Sequence, residues 1–294
     1  MDLIVGCGFL GSYLLRELID GGAENIVYTR SSVPASEAFP FSRAAVCDLT
    51  SQQDILALKE LCGGCRLRVF YLAACHNVDY LYENPQEGRR LNIDALQRFL
   101  ALFSPQTDRL LFASTDCVYG EQGNKPPFTE QNRPEPINEY GRQKLEAEKI
   151  VASYGFTALR FPFMLGASLF EKKHFYDRIT EKLRSGEPIE MIDGMYRSVL
   201  GYADAARLAA ALMQLDGTLP PVVNVCGDRG YGKYDMGLVL ARNLGADPSL
   251  VRALSEEQGK KFFKDRRASS ALMDNTLLKS LLGMERIVWE EDRC

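Results

Sequence analysis

Short apolar runs alternate with longer segments of helical apolar spacing through the first half of the chain. Runs such as LRVFYLAA are almost wholly apolar, which is typical of strands buried on both faces. Alternating strands and helices are typical of βαβ units in a parallel sheet covered by helices. The expected fold class is therefore α/β, with a Rossmann-type doubly wound parallel sheet. Strands are predicted at 2–5, 25–30, 43–48, 67–74, 108–115 and 157–161, and helices at 10–22, 51–62, 85–103 and 138–155.

The alternation loosens in the second half of the chain. The segment IDGMYRS at 192–198 is expected to be a loop in which a substrate could be bound. We therefore predict a first domain of residues 1–165 and a smaller C-terminal α/β lobe of residues 166–294, partly interleaved with the first. Further helices are predicted at 171–185, 202–215, 233–245 and 274–282, with a strand at 221–226.

Composition narrows the class of protein. The 294 residues are 46% hydrophobic and 25% charged, with a net charge of −4, and Lys and Arg are scattered. A surface that follows a nucleic acid would be basic, so no nucleic-acid partner is predicted. The first residues lack the charged and long apolar regions of a signal peptide, and no apolar run approaches a membrane span. We expect a cytoplasmic protein without a membrane partner.

The eight cysteines include one CxxC pair, Cys62 and Cys65. A structural zinc site usually needs two ligand pairs at short spacings, and a second pair is missing here. The intervening Gly-Gly lies where a predicted helix should end, so a helix C-cap turn is the favoured interpretation. His76 and His174 are far apart in sequence, and no metal site is predicted.

The segment GCGFLG places Gly6, Gly8 and Gly11 in the G-x-G-x-x-G spacing. The pattern alone is weak, but here it follows a strand and opens a helix, the context of a dinucleotide-binding loop. The first glycine permits a tight turn, the second admits the pyrophosphate, and the third allows close helix–strand packing. Phe9 and Leu10 complete the predicted cofactor contacts of this loop, so the first domain is predicted to bind NAD(P).

The end of the second strand bears on cofactor choice. Enzymes that use NAD usually place Asp or Glu there, about 20 residues after the glycine loop, to bind the ribose 2′-hydroxyl. This chain has Thr29, Arg30, Ser31 and Ser32 and no acid. An arginine beside hydroxyls suits a 2′-phosphate, so NADP(H) is favoured over NAD(H). The alternative is that Arg30 is a solvated surface residue.

Candidate chemistry lies in STDCVYG (114–120) and EYGRQK (139–144). Tyr140 and Lys144 are four residues apart and share a helix face. A nearby ammonium lowers the pKa of a phenol, which otherwise titrates near ~10, too high for acid–base work at neutral pH. Thr115 ends a predicted strand before them. We predict that Thr115, Tyr140 and Lys144 are catalytic, that Tyr140 and Lys144 also contact the cofactor, and that Ser114 faces the core.

These motifs resemble the extended short-chain dehydrogenase/reductase superfamily. Within it the chain is most similar to the dTDP-4-dehydrorhamnose reductase and NAD-dependent epimerase/dehydratase group. The likeness covers about two-thirds of the chain. It is carried by the glycine loop, CDLT (47–50), LAACHNVDYLYENPQEGRRLNIDAL (72–96), STDCVYG, NEYGRQKLEAE and LRFPFMLG (159–166).

The resemblance implies further cofactor contacts. Asp48 and Leu49 would contact the adenine, Ala73 and Ala74 would line the cofactor cleft, and Asn92 would support the active-site helix beside the cofactor. From the residues alone, Asn92 is equally a polar helix residue and Asp48 could simply begin the next helical turn.

The resemblance also implies the reaction: reduction of a keto group on a nucleotide-activated sugar by an NAD(P)-dependent oxidoreductase. Tyr196 and Arg197 in the predicted loop would contact the substrate diphosphate. A homodimer through the helices at 85–103 and 138–154 is implied by analogy with the group.

Two departures limit the likeness. The glycine loop is shorter than the G-x-x-G-x-x-G common in extended members, and the second lobe matches weakly beyond GYADAARLAAAL (201–212). The reaction class therefore transfers better than the substrate.

Alternative functions share this fold. A 4,6-dehydratase of the superfamily places Asp-Glu after the threonine, whereas Asp116 is followed by Cys117, so dehydration is disfavoured. A nucleotide-sugar 4-epimerase is not excluded by any single residue. A non-catalytic, NADP-binding regulatory subunit is the third possibility, although such proteins usually carry a degraded triad and this triad is whole.

Overall fold

The computed structural model describes residues 1–31, 42–170 and 173–292. Ser32, part of the strand end discussed above, lies outside these residues. The strands are β1 (Asp2–Val5), β2 (Ile26–Arg30), β3 (Ser42–Val46), β4 (Leu67–Tyr71), β5 (Thr107–Thr115), β6 (Thr157–Phe161), β7 (Phe163–Leu165), β8 (Ile189–Ile192), β9 (Tyr196–Gly201), β10 (Val222–Asn224), β11 (Gly230–Gly232), β12 (Val251–Leu254) and β13 (Ser270–Ala271).

The helices were mostly predicted from the sequence. The predicted helix at 85–103 is divided by a π-helical segment, Arg90–Asp94, which joins α4 to α5. The α-helices are α1 (Phe9–Asp20), α2 (Gln52–Cys62), α3 (Val78–Glu83), α4 (Pro85–Arg89), α5 (Ala95–Phe103), α6 (Glu139–Ser153), α7 (Phe175–Arg184), α8 (Tyr202–Gln214), α9 (Lys233–Leu244), α10 (Glu256–Lys260) and α11 (Thr276–Leu282).

A seven-stranded sheet forms the centre of the fold, in the order β10-β6-β5-β4-β1-β2-β3. All its neighbouring strands are parallel. The predicted Rossmann-type doubly wound sheet is confirmed. The strand order reverses between β1 and β4, and ligands of such sheets bind at the carboxyl ends of the strands near this switch point.

Alternate residues of β1 show why both faces of the sheet are buried. Ile4 packs with apolar side chains of α1 and α8 on one face. Leu3 and Val5 pack with α2, α5 and α6 on the other. Because successive side chains of a strand point to opposite faces, an almost wholly apolar strand is needed between two helical layers.

The second lobe contains strands that the sequence pattern missed. The expected loop at 192–198 is wrong over much of its length, because Tyr196 and Arg197 lie on β9. This strand pairs with β7, β11 and β13, all distant in sequence, so its pairing leaves little local pattern. β10 extends the large sheet from beyond residue 165, and the predicted division at that residue stays a prediction.

The CGGC segment is a helix end. Helix α2 finishes at Cys62, and Gly63 at φ 58° donates its amide to carbonyls of the last turn. The C-cap interpretation is therefore confirmed. Among the described residues, no group of three metal-ligating side chains occurs. None of the described helices is long and apolar enough to cross a bilayer.

Helix α6 is fixed to the sheet by a buried ion pair. Arg160 of β6 donates from Nε and Nη2 to the two carboxylate oxygens of Glu148, at 2.8 and 2.6 Å. Ser114 of β5 donates its hydroxyl to the same carboxylate. Both charged side chains are at most 4% exposed. Ser114 therefore faces the interior, as predicted, and α6 is held against β5 and β6.

Glu148→Ala should destabilise the protein by about 3–5 kcal/mol, because it leaves the Arg160 guanidinium buried without its counter-charge. One nitrogen of that guanidinium, Nη1, already lacks a partner. Urea unfolding measures the loss. The matched control is Glu181→Ala, which breaks an ion pair with Lys173 whose side chains are 60% and 61% exposed. Its cost should stay below about 1 kcal/mol; equal costs for the two variants would contradict this account.

Candidate active site

The glycine loop makes two close backbone approaches and leaves one open space. Gly6 has φ 93°, and a Cβ there would lie 2.6 Å from the Ala73 nitrogen. A Cβ on Gly11 would lie 2.8 Å from the Gly6 carbonyl oxygen. A Cβ on Gly8 would meet no described atom within 4 Å. The first and third glycines are required by packing, whereas the second borders free space.

That free space adjoins the start of α1. Gly8 is the N-cap and no side chain of a described residue caps this helix end, so within the described structure the amide groups of the first turn are available to a ligand. The partial positive charge of a helix N-terminus favours a phosphate there. Leu10 packs into the core and offers only its backbone. The Phe9 ring lies 4.3 Å from the His174 ring, between centroids.

Arg30 lies at the end of β2, where the adenosine ribose of a dinucleotide is expected. Its guanidinium carbon lies 3.9 Å from the centroid of the Phe170 ring. Within the described part of the chain its guanidinium enters no hydrogen bond or ion pair. Asp48 is exposed and its Oδ1 accepts hydrogen bonds from the amide and hydroxyl of Thr50, while Leu49 is buried.

Asn92 joins the loop after β4 to helix α6. Its Oδ1 accepts from the Cys75 amide at 2.8 Å, and its Nδ2 donates to the Cys75 carbonyl and to Gln143 Oε1. Gln143 lies on α6, so Asn92 supports the helix that the resemblance implied. Ala73 and Ala74, also in this loop, are half-buried beside the glycine loop.

The structure brings Thr115, Tyr140 and Lys144 together at the carboxyl end of β5. Thr115 lies close enough to Tyr140 for its side chain to lower the pKa of the phenol, while its own hydroxyl donates to Asp116 Oδ1 at 3.0 Å. Lys144 Nζ donates to the Ala113 carbonyl at 2.7 Å and lies 6.0 Å from the centroid of the Tyr140 ring. A phenol, a hydroxyl and an amine thus lie close together at this edge of the sheet.

Burial controls the ionisation of this cluster. It raises the pKa of Tyr140 well above its ordinary value, and the neighbouring Cys117 and Asp116 raise it further, while the nearby Thr115 side chain opposes them. Burial lowers the pKa of Lys144 to about 7, against the charge of Glu148. In the free protein Tyr140 is therefore a neutral phenol and a weaker acid than free tyrosine, so the lowering of its pKa by Lys144 that the sequence led us to expect is not present there.

Arg197 lies on β9 beside Asp116, the residue after Thr115, rather than in an open loop. Its Nε is 3.5 Å from Asp116 Oδ2, and Asp116 Oδ1 accepts from the Thr115 hydroxyl at 3.0 Å. Burial raises the pKa of Asp116, which the charge of Arg197 opposes. Tyr196, by contrast, is 40% exposed. Burial also raises the pKa of the Cys117 thiol to about 12, so this side chain is no base at neutral pH.

Two further cations, Lys233 and Arg267, lie in the same region against the Phe263 ring. The sequence analysis predicted neither of them. Lys233 Nζ lies 5.4 to 5.7 Å from the centroids of the Phe163, Phe175 and Phe263 rings. Burial lowers its pKa, and the charges of Arg267 and Arg197 lower it further. Lys233 and Arg267 are far apart in sequence and belong to no local motif, so the sequence alone does not show that they lie near each other.

The sequence and structure were compared with those of known proteins. Residues 3–226 match the NAD dependent epimerase/dehydratase family. The chain belongs to this family. The predicted resemblance to extended short-chain dehydrogenases/reductases is thereby confirmed, and so, at the level of the family, is an NAD(P)-dependent enzyme of that type. The glycine loop, with space beside Gly8 and a free helix N-terminus, fits the nicotinamide dinucleotide that this family binds.

Individual relatives differ in function. Subunit beta of methionine adenosyltransferase 2 from Bos taurus is 25% identical over 75% of this chain and 69% of its own. UDP-glucose 4-epimerase from Thermotoga maritima, solved with UDP-glucose, has a TM-score of 0.82 at 22% identity, covering 99% of this chain and 96% of its own. UDP-glucuronic acid 4-epimerase from Bacillus cereus, solved with UDP-glucuronic acid and NAD, has a TM-score of 0.81 at 20% identity, with the same coverage.

Alanine substitutions separate the two roles of the loop glycines. Gly8→Ala should leave the melting temperature within about 2 °C of the parent protein's and weaken dinucleotide binding at least about tenfold, because its Cβ enters only the phosphate space. Gly6→Ala should lower the melting temperature, since it combines a positive φ with a backbone clash. Fluorescence titration with NADPH and NADH, with calorimetry, checks both. Unchanged affinity in Gly8→Ala would contradict the assignment of this space.

Proposed function

We propose that this family member reduces a keto group on a nucleotide-activated sugar, with NADPH as the reductant, as dTDP-4-dehydrorhamnose reductases do. The observation that carries the proposal is the grouping of a protonated, half-buried Tyr140 with Thr115 at the end of β5 and with Lys144 one helical turn away. Such a group can give a proton to a carbonyl oxygen while hydride reaches the carbonyl carbon.

The bound nicotinamide would supply the hydride. Tyr140 then donates its proton to the oxygen on which negative charge develops, and the Thr115 hydroxyl stabilises that oxygen through a hydrogen bond. Lys144 binds the nicotinamide ribose, and its ammonium, when protonated, favours the phenolate that Tyr140 becomes. In the free protein the Thr115 hydroxyl donates to Asp116, which Arg197 approaches, so it must turn from Asp116 to the substrate oxygen when the substrate binds.

The cations of the second lobe support an anionic substrate. The charges of Arg267 and Arg197 both lower the pKa of Lys233, and we propose that a substrate diphosphate binds beside Lys233. Tyr196 stands on the same strand as Arg197 and is exposed enough to contact the carrier. The epimerases from Thermotoga maritima and Bacillus cereus were solved with UDP-sugars, which is consistent with this substrate class.

A preference for NADP(H) rests on Arg30. Its guanidinium makes no hydrogen bond to a described residue, is backed by Phe170, and takes the place of the usual acid after β2. The Bacillus cereus epimerase was solved with NAD, so the preference proposed here is a departure within the fold.

Arg30→Gln should raise the dissociation constant of NADPH by about tenfold and change that of NADH by less than about twofold, because only NADPH carries the 2′-phosphate. Equilibrium titration with the two cofactors measures the ratio. Arg16→Gln, which removes an exposed arginine from α1, is the control. Parallel losses for both cofactors would mean that Arg30 supports the fold, not the selection.

Tyr140→Phe should reduce kcat at least about 10²-fold and leave NADPH affinity nearly unchanged, because it removes the proton donor and little surface. The assay is NADPH oxidation with a panel of nucleotide 4-keto sugars. Tyr154→Phe, on the exposed C-terminal side of the same helix, is the matched control. Near-normal turnover in Tyr140→Phe would exclude this mechanism.

Two other functions remain candidates for specific reasons. A 4-epimerase shares the triad, and net consumption of NADPH separates a reductase from it. A regulatory subunit is favoured by the similarity to methionine adenosyltransferase 2 subunit beta, and absence of turnover with intact NADPH binding would support it. Cytoplasmic location, and a homodimer through the α4–α5 segment and α6, stay predictions.

A further inference from the structure

A loop of the second lobe lies against the catalytic helix. Residues 264–267 (KDRR), here called the clasp loop, follow α10 and precede β13. On one side they are tied to α3 of the first domain. Asp79 Oδ1 accepts from the amides of Lys264 and Asp265 at 3.0 and 3.1 Å, and from Arg267 Nη2 at 3.0 Å.

On its other side the clasp loop meets the first turn of α6. Asp265 Oδ2 accepts from the Glu139 amide at 3.1 Å, and Asn138 Nδ2 donates to the Arg266 carbonyl at 3.1 Å. Asn138 is the N-cap of α6, and its Oδ1 accepts from the Gly141 amide at 2.8 Å. The two amides flanking Tyr140 are therefore both bonded, one by the helix's own cap and one by the clasp loop.

These contacts bear on the catalytic phenol because Tyr140 is the second residue of α6. The first amides of a helix have no partner within the helix, so this turn frays unless other groups bond it. A carboxylate at a helix N-terminus also interacts favourably with the helix dipole. Asp265 is only 8% exposed, so its bond to Glu139 is shielded from competing water.

The same stretch of chain reaches the substrate side of the cleft. The Ala268 carbonyl, one residue after the clasp loop, accepts from Arg197 Nη2 at 2.6 Å. β13 then pairs with β9, the strand that carries Arg197. One short segment thus contacts both the turn that carries Tyr140 and the arginine beside Asp116.

We infer that the clasp loop holds Tyr140 in register with Thr115, and that Asp265 is the positioning residue. The inference rests on the proposed catalytic role of Tyr140. Asp265 does not touch the reacting atoms; it acts through the Glu139 amide. A displacement of a catalytic group by about 1 Å can cost about 10²-fold in rate, so even a small loosening of this turn should be measurable.

The kinetic test compares Asp265→Ala with Asp265→Asn. Asp265→Ala should lower kcat by about 10²-fold with the KM for NADPH changed less than about twofold. Asp265→Asn keeps one oxygen for the Glu139 amide and should recover most of kcat. Asp247→Ala, which removes an aspartate that caps the Ser249 amide in the same lobe, is the control and should have parental kinetics. Parental kcat in Asp265→Ala would overturn the inference.

A second measurement does not depend on turnover. The ultraviolet absorbance of tyrosinate, with Tyr140→Phe subtracted, reports the titration of Tyr140. Loosening the turn admits water to the phenol, so its pKa in Asp265→Ala should fall from its raised value toward the ordinary ~10. Cys75, Asp116, Cys117 and Lys144 face or approach the phenol and are unchanged in both proteins. Identical titrations would overturn the positioning role even if the reductase assignment stood.

The kinetic test and the titration together distinguish failure of the proposed function from failure of the positioning role of Asp265. If the parent protein turns over none of the sugars, the proposed function fails while the titration still decides the role of Asp265. If Asp265→Ala does not fold, Asp79→Asn replaces it, since it weakens the anchor on α3 without altering α6. It should shift kcat and the Tyr140 titration in the same directions by smaller amounts, and no shift in either would overturn the inference.

Discussion

The position of every candidate catalytic group depends on how helix α6 is held against the sheet. The buried ion pair of Glu148 with Arg160 fixes the middle of the helix on β6, and the Lys144–Ala113 hydrogen bond ties the preceding turn to β5. Two charges this deeply buried are tolerated only because each meets the other in good geometry. If α6 slid or rotated, it would leave a buried charge without its partner. Thr115, at the end of β5, lies beside this helix.

The burial that accompanies this packing also controls the ionisation of the candidate catalytic groups. Burial keeps Tyr140 protonated and disfavours the charged form of Lys144 in the free protein. A bound dinucleotide would add a polar partner for Lys144, and the protonated Tyr140 is the form from which the proposed reduction would take its proton. A reductase needs that direction of transfer, whereas an epimerase must run it both ways. The low polarity around Cys117 likewise removes the base that a dehydratase requires.

Local sequence patterns predicted the secondary structure of the first half of the chain well and that of the second half poorly, for a physical reason. The strands of the central sheet are buried on both faces, so their apolar runs are visible without knowledge of their partners. The turn at Gly6 is constrained by its backbone, and Tyr140 and Lys144 by helical spacing. Strand β9 depends on partners as far away as β13, so the local pattern of its residues predicts a loop instead of a strand. Asp79 and Asp265 meet across the fold, and no spacing rule joins them.

The reaction proposed for this protein is a net reduction in which hydride leaves the cofactor and stays on the sugar. The most direct measurement supplies NADPH deuterated at the transferable position of the nicotinamide, together with the nucleotide 4-keto sugar that supports oxidation, and follows the sugar by mass spectrometry. The account predicts one deuterium on the reduced carbon for each NADPH oxidised. A sugar that isomerises without gaining deuterium, while NADPH is not consumed, would contradict it.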